Sequence, residues 1–210
     1  FNQLMLGEDV TKMTLQQKVY RKPNEVFEYN GVNPQNLGLL LQRAYGKRYA
    51  DLLSEKLWQK IAEDDATVIL DSEKNKMPRT YCCLNATARD WLRIGILILN
   101  EGKMGQKQIV PKSWISNMKI PSETNPNYGY LTWLGTVHQV NRNYNPKSTA
   151  TGFHSEPFDD RDIIYLDGFG GQRVYIIPSK ELVLVRTGAT QMTWDDSVLP
   201  NILSRAIDKN

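Results

Sequence analysis

Two short segments carry residue types that could do chemistry. The first is Phe27-Glu28-Tyr29-Asn30-Gly31, directly before Asn33-Pro34. Asn caps helices and Pro suits a first helical turn, so a helix is expected to start there. A tyrosine on the loop leading into a helix can be held near the positive end of the helix dipole. Its pKa falls there and it can accept a proton. The second segment is Asp167-Gly168-Phe169-Gly170-Gly171-Gln172. Three glycines around one Phe let the backbone approach another group closely and turn its N–H groups outward. Outward N–H groups at a strand edge are what stabilises a developing oxyanion. Each segment also has a plainer reading. A lone Tyr is usually a half-buried core residue, and a glycine-rich strand junction is usually a tight turn.

Other chemistry is thinly supplied. Cys82 and Cys83 are adjacent. Neighbouring cysteines seldom bridge each other, so two buried thiols are expected. His138 and His154 are the only histidines, without Cys-x-x-Cys or His-Glu-x-x-His spacing, so neither a metal site nor a cofactor is expected. The 210 residues include 26 basic and 23 acidic ones, a net charge of +3. Lys and Arg are interspersed with Asp and Glu, which argues against a nucleic-acid partner needing a clustered basic face. The longest apolar run, Ile94 to Leu99, is too short to span a bilayer. Hydrophobic residues make up 40% of the chain, enough for a packed core.

The elements that must position the two segments follow from periodicity. Leu37, Leu40, Leu41 and Ala44 extend the helix from Asn33, and Gly46 is placed to end it. Tyr49, Leu52, Leu53, Leu57 and Ile61 predict a second helix over 48–61. Residues 62–80 read as a loop. Thr87-Ala-Arg-Asp90 resembles a capping box, opening an apolar, mostly buried helix from Ala88 to Leu99. Pro111-Lys-Ser-Trp114 starts a further short helix. The pattern then changes to strands: residues 128–134, 163–166, 173–177 and 182–186, the last two joined as an antiparallel hairpin through Pro178-Ser-Lys-Glu181. Residues 141–160 form a long polar excursion. A final amphipathic helix is capped by Ser197, with Pro200 in its first turn. A mainly helical region over 1–127 and strands plus a terminal helix over 128–210 give an α+β class, both regions belonging to one domain.

Taken in order, these segments resemble the serine β-lactamase-like hydrolases, in the branch with class C β-lactamases, esterases and 6-aminohexanoate-dimer hydrolases. Tyr29-Asn-Gly31 before Leu37-Gly38 resembles the family's Tyr-x-Asn/Ser motif and the helix after it. The run Cys83-Leu-Asn-Ala-Thr-Ala-Arg-Asp90, then Gly95, Gly102, Ile109-Val-Pro111 and Trp114, is similar to its helical stretch. Tyr128-Gly-Tyr130 with Trp133, and Gly168-Phe-Gly-Gly-Gln172 with Pro178 and Leu182–Arg186, match its strands. The likeness covers nearly the whole chain.

The resemblance implies a β-lactamase/transpeptidase-like fold and acyl-enzyme chemistry on an ester, amide or β-lactam carbonyl. Tyr29 would share the general base and acid role, and the backbone N–H of Phe169 would be one oxyanion donor. Gly31, Gly168, Gly170, Gly171 and Gln172 would line the substrate. Gly31 replaces a side-chain hydrogen-bonding residue, and no Lys or His stands in 169–171, which shifts the expectation from penicillins toward esters or amides. Many relatives are periplasmic or secreted. In the family the nucleophile, in Ser-x-x-Lys, precedes the tyrosine, but no serine precedes Tyr29 here. Ser116-Asn-Met-Lys119 fits the spacing but lies downstream. With ten serines and 15 lysines among 210 residues, a chance match of this kind is unsurprising, so it reads as a decoy. The sequence therefore reads as a domain cut at Phe1, inactive alone, whose sheet is completed by an upstream segment or a partner chain. The alternative is a non-catalytic sensor or binding module of the same fold.

Overall fold

A computed structural model describes residues 2–146 and 148–209, and the chain divides into two compact units at Thr87/Ala88. Phe1, where the cut was expected, lies outside the described residues.

The first unit opens with α1 (Asn2–Leu6) and α2 (Val10–Leu15), followed by α3 (Val32–Tyr45). The capping side chain of α3 is Asn30 rather than Asn33. Its Oδ1 accepts hydrogen bonds from the N–H groups of Val32 and Asn33, at 3.0 and 3.3 Å. Asn33 and Pro34 sit inside the first turn, where the missing proline N–H costs nothing. Gly46, at φ 63°, closes the helix as expected.

The second helix is one rod in three pieces: α4 (Tyr49–Leu53), a π-helical stretch (Ser54–Trp58) and α5 (Gln59–Ile61). The wider π turn changes which residues face inward. Trp58 is buried, as are Leu52 and Ile61, while Leu57 is only half-buried.

The segment expected as loop contains β1 (Thr67–Val68), which pairs antiparallel with β2 (Leu84–Asn85). Strands so short escape a periodicity reading. This segment is stitched to α3 by the buried Gln35 side chain. Its Nε2 donates to the Pro78 carbonyl (3.1 Å), and its Oε1 accepts from the Thr80 N–H (2.9 Å). Arg79 donates to the carbonyls of Leu4 and Gly7, tying α1 to the same segment. The expectation of two buried thiols is corrected here. Cys82 and Cys83 are joined in a disulfide, both are half-buried, and Cys83 takes φ 71°.

The second unit is a four-stranded antiparallel sheet with helices. Its elements are α6 (Ala88–Leu99), the small hairpin β3 (Lys103–Met104) and β4 (Lys107–Gln108), α7 (Lys112–Met118) and β5 (Trp133–Leu134). They continue with β6 (Asn141–Asn143), β7 (Thr151–Phe153), β8 (Ile164–Gly168), β9 (Gln172–Ile177), β10 (Leu182–Arg186) and α8 (Val198–Ile207). The sheet runs β10-β9-β8-β5. The β9–β10 hairpin forms as read, with Leu182 opposite Ile177. The aromatic stretch 128–134 is strand only at its end, because Gly129 N–H bonds the Thr132 carbonyl and turns the chain. The polar excursion hides a hairpin of β6 and β7.

Alternation along β9 gives the sheet two unlike faces. Val174 and Ile176 join Ile98, Ile115, Leu134 and Ile164 in the apolar core, with α6 laid over β9 and β10. Gly95 makes that seating possible: a Cβ there would lie 2.4 Å from Val183 Cγ1 and 3.0 Å from Val174 Cγ1. The other face carries the cross-strand row Trp133–Tyr165–Tyr175, all buried. Beside it runs the pair Asp167–Arg173. This helix-and-antiparallel-sheet architecture is the α+β class.

Candidate active site

In the first unit, Tyr29 lies on the irregular segment just before the Asn30 cap, with 38% of its surface exposed. The cap fixes the direction of the backbone there, because Asn30 binds two of the otherwise unpaired N–H groups of the helix. Gly31 is buried against Tyr81. A Cβ at position 31 would lie 3.0–3.3 Å from Tyr81 side-chain atoms. The Tyr81 ring thus occupies the space that a hydrogen-bonding side chain would need. Tyr81 is itself anchored, its hydroxyl donating to the Leu4 carbonyl at 2.9 Å and accepting from Arg79 Nη1 at 3.0 Å.

In the second unit, the glycine-rich segment is the corner between β8 and β9, a single 3₁₀ turn over Phe169–Gly171. Phe169 projects outward, 74% exposed, while Gly170 and Gly171 are buried. Gly170 at φ 69° and Gly171 at φ 80° use backbone conformations that side chains rarely adopt. A Cβ on Gly170 would also meet Thr190 at 2.9 Å, and one on Gly171 would meet Arg186 Nη1 at 2.9 Å.

The carbonyls of the corner are held from behind. Gly168 O accepts from Arg173 Nη1 (2.8 Å), and Gly170 O accepts from Arg186 Nη1 (3.1 Å) and from the Gln191 N–H (2.9 Å). Gln172 is occupied in the same frame. Its Nε2 donates to Gly188 O (2.9 Å) and its Oε1 accepts from Gly188 N–H (3.2 Å). Tyr29, Gly31 and Tyr81 are thus grouped in one unit, and Gly168 to Gln172 in the other.

Behind the corner lies a buried charge cluster that the sequence reading did not find. Arg173 Nε contacts Asp196 Oδ1 at 2.5 Å, and its Nη1 contacts Asp167 Oδ1 at 2.7 Å. Arg142 Nη2 reaches Asp167 Oδ2 at 2.5 Å and Asp196 Oδ2 at 3.5 Å. The Arg142 guanidinium stacks 3.6 Å from the Trp133 ring centroid, and Tyr144 OH donates to Asp167 at 2.7 Å. Two arginines face two aspartates, so the buried charges balance.

Burial raises the pKa of Asp196, Tyr144, Tyr165 and Tyr175, so these tyrosines keep their protons. Burial, aided by the charge of Arg142, pushes His154 down to about 4, so it is neutral near pH 7. The ion pairs of the cluster tie β6, β8, β9 and the segment at Asp196 together. His154 Nδ1, Asn127 Oδ1 and Arg142 Nη1 have no protein partner, and their residues line a cavity of about 10 Å³, room for one water. The cluster draws on positions 142, 167, 173 and 196, which only the fold brings together. The one sequence signal was the alternation of Arg173 and Tyr175 with Val174 and Ile176.

Ser116 lies exposed on α7, and its Oγ donates to the Lys112 carbonyl of its own helix at 3.1 Å. Trp114 on the same helix is also exposed.

No protein-family model matches the chain. A 6-aminohexanoate-dimer hydrolase of Paenarthrobacter ureafaciens is 30% identical over 93 residues, which is 44% of this chain and 23% of that protein. A solved Bacillus anthracis structure, provisionally named a 6-aminohexanoate-dimer hydrolase, superposes with a TM-score of 0.68 at 25% identity. The match covers 94% of this chain and 47% of that one. A Bacteroides dorei structure, provisionally named a β-lactamase, superposes with a TM-score of 0.70 at 17% identity, covering 95% of this chain and 63% of the other. The fold is thus that of the β-lactamase-like proteins. With the sequence relative added, the likeness is to the β-lactamase-like hydrolases. It spans less than two-thirds of each of these relatives.

Proposed function

We propose that this chain is the tyrosine-and-oxyanion portion of a serine hydrolase that forms an acyl-enzyme on an ester, amide or β-lactam carbonyl. Tyr29 serves as proton acceptor and donor for the nucleophile, and the Phe169 N–H binds the oxyanion. The nucleophilic serine and its lysine come from an upstream segment or partner chain, which also adds to the sheet beside β10. The observation that carries this reading is the span of the match: almost all of this chain lies on less than half of a hydrolase-like structure. The capped loop at Tyr29 and the braced corner at Phe169 support it, as does the lack of any serine before Tyr29.

The test is to label the full-length protein with a fluorophosphonate and locate the adduct by mass spectrometry. The expected adduct is on a serine outside these 210 residues, and Tyr29→Phe should lower turnover about 100-fold or more with little change in Tm. Absence of any adduct, or full turnover in Tyr29→Phe, overturns the proposal. No adduct would favour a non-catalytic sensor instead.

A further inference from the structure

We infer that Arg173 is a positioning residue that aims the Phe169 N–H outward as an oxyanion donor. This inference rests on the role proposed for Phe169 and deepens it.

In a trans peptide the C=O of one residue and the N–H of the next point to opposite sides. The chain has no cis peptide among its described residues. Gly168 O is drawn to Arg173 Nη1 at 2.8 Å, on the side of the buried charge cluster. The N–H in the same peptide unit belongs to Phe169, and it therefore points away from that cluster. The direction of the donor is set by whatever holds the carbonyl.

Arg173 holds it rigidly. Its Nε and Nη2 fork onto both oxygens of Asp196 (2.5 and 3.4 Å), and its Nη1 also meets Asp167 at 2.7 Å. Asp196 in turn accepts from Tyr175 OH (3.3 Å), and Asp167 from Tyr144 OH and Arg142. With Arg173 only 5% exposed, water competes little for these bonds. The planar guanidinium meets two carboxylates and the carbonyls of Gly168 and Gln172 (2.8 and 2.9 Å) from one fixed position, whereas a lysine ammonium cannot.

A purely structural ion pair would stabilise the unit without affecting transition-state binding, so the test is a double-mutant cycle in the full-length protein. Phe169→Pro removes the N–H. Gly168 already has φ −95° and ψ 154°, the conformation favoured before proline, so the backbone accepts the change. Phe169→Ala controls for loss of the ring. The readouts are affinity for phenylboronic acid, which mimics the tetrahedral intermediate, and kcat and KM on a p-nitrophenyl ester.

Arg173→Lys is expected to lower boronate affinity and kcat roughly 10- to 100-fold, with KM little changed. In the Phe169→Pro background it should cause no further loss. An additive loss in that background, or folded Arg173→Lys with unchanged affinity, overturns the inference. If Phe169→Pro binds boronate as well as Phe169→Ala, the oxyanion reading itself fails. If Arg173→Lys does not fold, Asp196→Asn, which loosens the far side of the fork, takes its place in the same cycle.

Discussion

At the scale of single residues, the β8–β9 corner depends on two glycines for two reasons at once. Gly170 and Gly171 combine left-handed backbone angles with neighbours under about 3 Å from any added Cβ. Gly170→Ala or Gly171→Ala should therefore cost about 1–3 kcal/mol each, read as a lower urea midpoint with an unchanged m-value. His154 gives a pH signature. Its pKa is about 4 in the folded chain against 6.5 for an ordinary histidine. Above pH 6.5 both states are neutral and its contribution is constant. As pH falls through 6.5 the unfolded chain takes up a proton that the folded chain refuses. Stability then drops until the folded histidine is also protonated, below about pH 4. The full loss is on the order of 3 kcal/mol. Tyr165 OH at 3.3 Å, Asp196 at 3.8 Å and the charges of Arg142, Arg173 and Asp195 face the ring. The His154 part is thus best read as the difference between wild type and His154→Phe, which should show a flatter acid limb in unfolding between pH 6.5 and 4.

At the scale of elements, α6 has one seat. Gly95→Val would place its side chain inside Val183 and Val174, so the helix must lift from the sheet. The expected cost is about 1–3 kcal/mol in chemical unfolding, while changes at exposed Trp114 on α7 should cost far less. What the sequence revealed at this level follows length and pattern. α3, α6, α8 and the β9–β10 hairpin have repeating apolar positions or turn residues, and all were legible. β1, β2, β6 and β7 are two or three residues long, too short for any period to register. The cap was displaced from Asn33 to Asn30 because either Asn suits the role and only the chain path chooses. The corner at 168–172 was visible through its glycines, but its brace was not, since Arg142 and Asp196 lie far from it along the chain.

At the scale of the whole molecule, β10 is a terminal strand of the sheet while Val183 and Val185 lean on the core. That arrangement suits a sheet that continues into further chain, in keeping with the proposal above. The 210-residue chain expressed alone should give no fluorophosphonate adduct, and acylation of Ser116 would overturn that expectation. Mixing it with the remainder of the protein should restore labelling if the two parts associate.

The Cys82–Cys83 bridge has a practical consequence. Most disulfides clip distant parts of a chain together, and cutting them lets the denatured polymer expand. This one links sequence neighbours and encloses no intervening residue. Its effect on the entropy of the unfolded ensemble is correspondingly slight. Electrophoresis with and without reductant will show the same band. The two forms differ by the mass of two hydrogen atoms, so intact-mass spectrometry or alkylation after reduction is the assay that can see it.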